Sequence, residues 1–244
     1  MSEFVFAQHA ALLEKAKIRR QQAAAQIRHM RFLEMHEPDF VKDSSLYDYL
    51  EQSGGLLAFL NYSRSQESTV LEIGVGTANA LAELASSQLG NGLSFVGTGL
   101  THRRHAEVPN VSLRQTPAEI LSGVSPKSVG GILSLNGIGF SKAPELVVDA
   151  IDRSLVGGGA IKATFRGDTS YGPEWDRRYD SWGYGSYHPF RQELRRRRYD
   201  VAVIETGADD ILVALKPGFD KATSAQQLLE QDMNSLPDQL ALIA

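Results

Sequence analysis

The chain has 244 residues, a net charge of −4 and no cysteine. That length suits one large α/β domain with a helical addition, the acidic balance does not fit a general nucleic-acid binder, and the lack of cysteine excludes disulfides, thiolate metal sites and a cysteine nucleophile. No apolar run approaches the roughly 20 residues that span a bilayer, and Met1 to Ala7 leads into Lys and Arg rather than an apolar core, so neither a membrane span nor a secretory signal is expected and the cytoplasm is the default location.

Residues 3–35 carry Ala, Leu, Glu, Lys, Arg and Gln without Gly or Pro, which predicts one long helix or two shorter ones. Leu12, Leu13, Ala16, Ala23, Ile27, Met30 and Phe32 mark an apolar stripe, and Lys15, Lys17, Arg19, Arg20, Arg28 and Arg31 make the other faces basic. Such a stripe packs on its own domain, on a second copy of the chain or on a partner, with a phosphate or RNA contact as the alternative. Glu37-Pro38-Asp39 breaks the pattern, and a second helical region over 44–62 is interrupted at Gly54-Gly55.

The next stretch, Thr69-Val-Leu-Glu-Ile-Gly-Val-Gly-Thr-Ala-Asn-Ala-Leu81, reads as a buried strand that turns sharply into a helix. Gly74 and Gly76 have no Cβ, so a ligand can lie against bare backbone there. From Thr69 onward, β-rich runs near 69–73, 93–98, 110–114, 129–135, 158–165, 199–206 and 209–216 alternate with helical or turn segments. Helices are predicted near 77–89, 143–154 and 189–197. The last two strands are close enough to form a hairpin through Gly207-Ala208. The connections Thr101 to Pro109 and Thr116 to Lys127 are too short for long covering helices, so the N-terminal helices are expected to cover part of one sheet face. Gly157 to Gly159 read as a helix end with a left-handed residue, and 219–244 as a helix followed by a proline-containing tail.

The Glu72-Ile-Gly-Val-Gly-Thr-Ala78 run resembles motif I of the class I S-adenosylmethionine-dependent methyltransferases, with Ala78 at the third glycine. The resemblance extends through Ser128 to Asn136, similar to the family's fourth strand, and Ala150 to Lys162, similar to its helix, Gly-Gly turn and fifth strand. It implies a Rossmann-like, seven-stranded, mostly parallel sheet with the last strand antiparallel. The expected organisation is an N-terminal helical extension over 1–62, the methyltransferase-like domain over 63–218, and a C-terminal helix and tail over 219–244. It also implies S-adenosylmethionine as cofactor and S-adenosylhomocysteine as product, with Glu72, Gly74, Val75 and Gly76 at the cofactor, Gly99, Leu100 and Thr101 near the ribose, and Pro117, Ala118 and Glu119 near the adenine. Asn136, at the carboxyl edge of the fourth strand, joins both the cofactor set and the catalytic set.

Two departures stand beside these matches. The acid that accepts both ribose hydroxyls in the family is replaced by Gly99, and the adenine-pairing Asp by Pro117, with Glu119 the nearest carboxylate. Each lost charge-assisted hydrogen bond is worth about 1.5–3 kcal/mol, unless Thr98, Thr101, His102 or Gln115 substitutes. The segment from Arg166 to Phe190 holds both tryptophans and four tyrosines, rings with polar tips that suit a pocket wall or a packed loop. His188 is the general-base candidate by chemistry, although His188-Pro189 also reads as a helix start. His102-Arg-Arg-His105 and Arg195 to Arg198 are basic clusters that fit solvated surfaces or phosphate contacts. The expectation is in-line methyl transfer to a small-molecule acceptor held between Asn136, the 166–190 segment and the N-terminal helices. The rivals are an inactive scaffold subunit on the same fold and an RNA- or protein-directed methyltransferase. A homodimer or partner contact through the N-terminal helix stays open, and neither a metal nor a membrane is expected.

Overall fold

The computed structural model describes residues 14, 17–18, 21, 24–32, 44–100, 108–167, 185–207, 209–218 and 223–243. Thr101, the His102–His105 cluster, Glu37-Pro38-Asp39 and most of the 166–190 segment lie outside the described residues, as does much of the predicted N-terminal helix; residues 24–32 are helical.

Helix α1 (Leu46–Ser53) starts at Ser45, whose hydroxyl accepts from the Asp48 amide while the Asp48 side chain accepts from the Ser45 amide, and it stops at left-handed Gly54. Helix α2 (Leu57–Gln66) has no capping side chain of its own. Its cap comes from the far end of the chain: Gln239 Oε1 accepts from the Leu56 and Leu57 amides at 2.8 and 3.0 Å, and Asp232 Oδ1 from the Ala58 amide at 2.7 Å. Both residues belong to α6 (Ala225–Ile243), which runs through Pro237. The predicted proline-containing tail is therefore helical to Ile243. Two residues before the proline, Ser235 Oγ donates to the Gln231 and Asp232 carbonyls, adding partners to carbonyls near the interruption.

Seven strands follow: β1 (Thr69–Ile73), β2 (Ser94–Gly99), β3 (Val111–Gln115), β4 (Val129–Leu135), β5 (Leu155–Arg166), β6 (Asp200–Glu205) and β7 (Asp209–Leu215). They form one sheet in the order β3-β2-β1-β4-β5-β7-β6, all parallel except β7, which is antiparallel to β5 and β6. Alternation along the strands sends Val70, Phe95 and Leu133 to one face, under α1, α2, α3 (Asn79–Ser86) and α6. Leu71, Ile132 and Ile161 go to the other, under α4 (Pro144–Ser154) and α5 (His188–Arg196), with Leu121 and Val124 of the β3–β4 connection. The helices before the sheet thus cover one face, as the short connections implied.

The glycine run after α4 differs from its expectation. The helix ends at extended Leu155, which already pairs with Val129 in the sheet, and left-handed Gly158 lies further on. Gly131 then pairs with Ala160, so the four residues 156–159 of β5 lie opposite Gly130 alone, and the glycines form a bulge inside the strand rather than a helix cap. No helix among the described residues is long and apolar enough to cross a membrane.

Candidate functional site at the carboxyl edge of the sheet

The chain runs outward from β1 to β2 and β3, then returns to add β4 and β5 on the other side, so β1 and β4 flank the switch point of the sheet order. In open α/β sheets a crevice forms there, because the connections leave in opposite directions.

At the end of β1 the Gly74 and Val75 amides both donate to the Thr98 carbonyl, at 2.9 and 3.0 Å, which folds the loop back over β2. Gly74 and Gly76 have φ of 83° and 56°. A Cβ on Gly74 would lie 2.7 Å from Gly137 Cα, so the glycine is required by close approach to the neighbouring loop as well as by its left-handed backbone. Ala78 holds the position of the third glycine with φ of 62°, a conformation that costs an alanine about 1–2 kcal/mol. The Val75 amide is committed within the chain, and its side chain packs on the core.

At the edge of β2 and β3, Gln115 Nε2 donates to the Leu100 carbonyl at 2.8 Å and the Thr116 amide to the Gly99 carbonyl at 2.9 Å. Thr98 is buried, and its hydroxyl donates to the Glu72 carbonyl. Thr98 and Gln115, two candidates to replace the missing ribose acid, thus hold backbone. Pro117 and Ala118 lie in the half-buried turn after Thr116, and Glu119 accepts from Ser141 Oγ at 2.6 Å, bridging the loops after β3 and β4.

Asn136 follows β4 with φ of 58°, its amide donating to both Oγ1 and the carbonyl of Thr164. Ser134, fully buried, donates to the Ile73 carbonyl at 2.9 Å and accepts from the Ile138 amide at 3.0 Å, clamping the loop after β4 to the end of β1. Gln26 Nε2 donates to the Phe140 carbonyl at 3.2 Å, which sets the helical stretch 24–32 against this loop, and the Gly185 amide donates to the Gly139 carbonyl. His188 opens α5 three residues later, exposed, with its ring centroid 4.3 Å from that of Tyr187. The structure therefore gathers Glu72, Gly74, Gly76, Gly99, Leu100 and Asn136 at one edge, with Pro117 to Glu119 beside it and His188 on the segment that returns past the Ile138–Phe140 turn.

Glu72 is a buried acid of this edge among the described residues. Its side chain is 3% exposed on the face covered by α1, and burial pushes its carboxyl up to about 7, with the adjacent Tyr49 hydroxyl pulling the other way. The approach falls short of hydrogen-bond geometry: Glu72 Oε2 and Tyr49 Oη are both buried without a hydrogen-bond partner. Sequence reasoning missed Tyr49, because beside Leu46, Leu50 and Ser53 on the buried stripe of α1 it reads as core. It also missed Ser134, whose clamp depends on a loop folding back across another strand.

No protein-family model and no curated protein sequence matches this chain. Solved structures do. One is an O-methyltransferase family protein from Burkholderia thailandensis (12% identity, TM-score 0.51, covering 70% of this chain and 56% of that one). Another is a SAM-dependent methyltransferase from Thermotoga maritima described as a possible histamine N-methyltransferase (17% identity, TM-score 0.52, covering 77% and 99%). A third is a [4+2]-cyclase (11% identity, TM-score 0.52, covering 71% and 81%), so the same architecture also carries a different chemistry. The chain spans a little over half the length of the Burkholderia protein. The strand order with its antiparallel β7, the glycine loop after β1 and these likenesses agree: the chain has the fold of the class I S-adenosylmethionine-dependent methyltransferases.

Proposed function

We propose that the protein is an S-adenosylmethionine-dependent methyltransferase that passes a methyl group to a small-molecule acceptor by in-line displacement. The observation that carries this reading is the meeting of the glycine loop, the Asn136-Gly137 turn and an unpartnered buried carboxylate at the switch point of the sheet. An unpaired buried acid is costly unless a cation joins it, and the cofactor's amino-acid end carries an ammonium. The fit is good at that end. At the ribose, Gly99 offers bare backbone in place of a carboxylate, so Gly99, Leu100 and Pro117 to Glu119 would hold the nucleoside mainly through shape and main chain.

S-adenosylmethionine supplies a methyl group on a positively charged sulfur, already activated for attack. The work left to the chain is binding and orientation, worth several orders of magnitude in rate when the reacting atoms are held about 3 Å apart. Glu72, Gly74 and Gly76 would fix the donor. Asn136 and the Ile138–Phe140 turn, with the helix at 24–32 leaning on it, would wall the acceptor side, and this cover favours a small acceptor over a polymer. His188 would take the acceptor's proton where the acceptor is not already nucleophilic.

Calorimetry with S-adenosylhomocysteine and S-adenosylmethionine tests the cofactor step. Micromolar binding supports the reading. No binding by folded, ligand-free protein would overturn it in favour of a scaffold subunit, the alternative favoured by the absent acid at Gly99.

A further inference from the structure

Asn-Gly occurs twice in the chain, at Asn91-Gly92 and at Asn136-Gly137, and the fold treats the two pairs oppositely. Asn136 is half-buried and its pair is held on both sides: the Asn136 amide donates to Thr164, and the Ile138 amide beyond the pair donates to buried Ser134 Oγ. Gly137 itself is close-packed, since a Cβ there would lie 2.3 Å from the Ile73 carbonyl oxygen. Asn91 and Gly92, by contrast, are both exposed, in the turn between α3 and β2 that closes through the Leu93 amide and the Gly90 carbonyl at 3.1 Å. Gly92 has φ of 74°, and a Cβ there would meet nothing nearer than Arg64 Nε at 3.7 Å. Among the described residues, neither the Gly92 amide nor the Asn91 side chain makes a hydrogen bond.

One strong contact does bear on the exposed pair. Arg64 of α2 donates from Nη2 to the Asn91 carbonyl at 2.7 Å and to the Leu89 carbonyl at 3.3 Å, and from Nη1 to Asn61 Oδ1 at 2.6 Å. No carboxylate pairs with it among the described residues. A guanidinium on that carbonyl withdraws electron density from the amide that follows, and a nearby cation favours the anionic form of a group that can lose a proton. The amide that follows belongs to Gly92. We propose that Asn91-Gly92 is a site of spontaneous backbone modification, in which Arg64 activates the Gly92 amide to attack the Asn91 side chain. The Gly92 N–H gives its proton to buffer, a bond forms from Gly92 N to Asn91 Cγ, and the Cγ–Nδ2 bond breaks, the nitrogen leaving as ammonia with a proton from solvent. Water then opens the cyclic imide at either carbonyl, leaving aspartate or, with the chain rerouted through Cβ and Cγ, isoaspartate. In the isoaspartyl form the free carboxylate is the former main-chain carbonyl, the group that Arg64 already holds, so this product gains an ion pair where the parent had a hydrogen bond. The new charge arises at the amino end of β2, while Gly99 of the candidate site stands at its carboxyl end.

Peptide mapping by mass spectrometry, on folded protein held at mildly alkaline pH, tests this, because each event exchanges an amide NH2 for OH and adds a negative charge visible on ion exchange. Asn91 should convert at least about tenfold faster than Asn136 in the folded protein. In urea, where the turn and the packing around Gly137 are both lost, the two pairs should convert at similar rates. Arg64→Met should slow conversion at Asn91 by about tenfold or more, the scale of one charge-assisted hydrogen bond, with Arg64→Lys in between. Circular dichroism establishes that both variants are folded, and the comparison of the two pairs needs no variant at all. Equal conversion of Asn91 and Asn136 in the folded protein, or none at Asn91, overturns the site. Conversion at Asn91 that is unchanged or hastened by Arg64→Met overturns the activation by the guanidinium.

Discussion

Asp232 Oδ2 accepts from Lys162 Nζ at 2.7 Å while its Oδ1 accepts from the Ala58 amide, so one carboxylate of α6 ties the centre of the sheet to the start of α2. Both side chains are fully buried. Removing one partner strands the other's charge, so Asp232→Ala should lower stability by about 3–5 kcal/mol. Lys162→Met together with Asp232→Asn, which keeps an acceptor for the amide, should recover most of that loss. Urea denaturation of the two single variants and the double variant measures it.

Glu72 should make stability fall as pH rises. Its folded carboxyl is pushed up to about 7 from an ordinary value of 4.5, so the folded protein binds the extra proton between those limits. Sign follows directly: the favourable contribution is complete below about pH 4.5 and is lost as pH passes through 7, amounting to on the order of 3 kcal/mol. Glu72→Gln should flatten this slope between pH 5 and 8. Thermal melts of both proteins across that range provide the check.

Ala78 occupies a left-handed backbone at the N-cap of α3. Alanine to glycine near a helix usually destabilises by about 1 kcal/mol. Here glycine relieves about 1–2 kcal/mol of strain against about 0.4–1 kcal/mol of added unfolded-state entropy, so Ala78→Gly should be neutral or stabilising by up to about 1 kcal/mol. A clear loss in melting temperature would show that the methyl's packing outweighs the strain.

Ser134 bonds both the Ile73 carbonyl and the Ile138 amide from a fully buried position. Ser134→Ala orphans both groups and should destabilise by about 1–3 kcal/mol. Because the clamp sets the Asn136 loop, binding of S-adenosylhomocysteine should weaken as well, by roughly tenfold if a single kcal-scale contact is misplaced. Chemical denaturation and calorimetry on the same sample separate the two effects.

Much of this fold was legible because the sheet is made of continuous apolar runs. Val70, Leu71 and Ile73, or Val129 to Ser134, are buried on both faces, and these two runs announce their strands at the expected bounds, whereas β5 starts three residues before its expected run. The Gly54-Gly55 break was equally plain. What escaped notice depended on partners far along the chain. Asp232 and Gln239 are ordinary polar residues of a helix until the uncapped start of α2 arrives beneath them. Gly157 to Gly159 carry the same letters for a helix cap and a strand bulge, and only pairing with β4 chooses between them. At the candidate site, the glycine spacing marked the turn that leaves β1 at the carboxyl edge of the sheet, whereas neither the burial of Tyr49 without a partner nor the internal use of the Val75 amide leaves a mark in one sequence.

The approach of Gly74 to Gly137 has a mechanical meaning. With no side chain between them, the loop after β1 and the loop after β4 share a surface, and on the proposed function these are the donor and acceptor sides of one cleft. A ligand that settles the first also settles the second, and occupancy of the donor half should change affinity in the acceptor half by the same factor that the acceptor changes affinity for the donor.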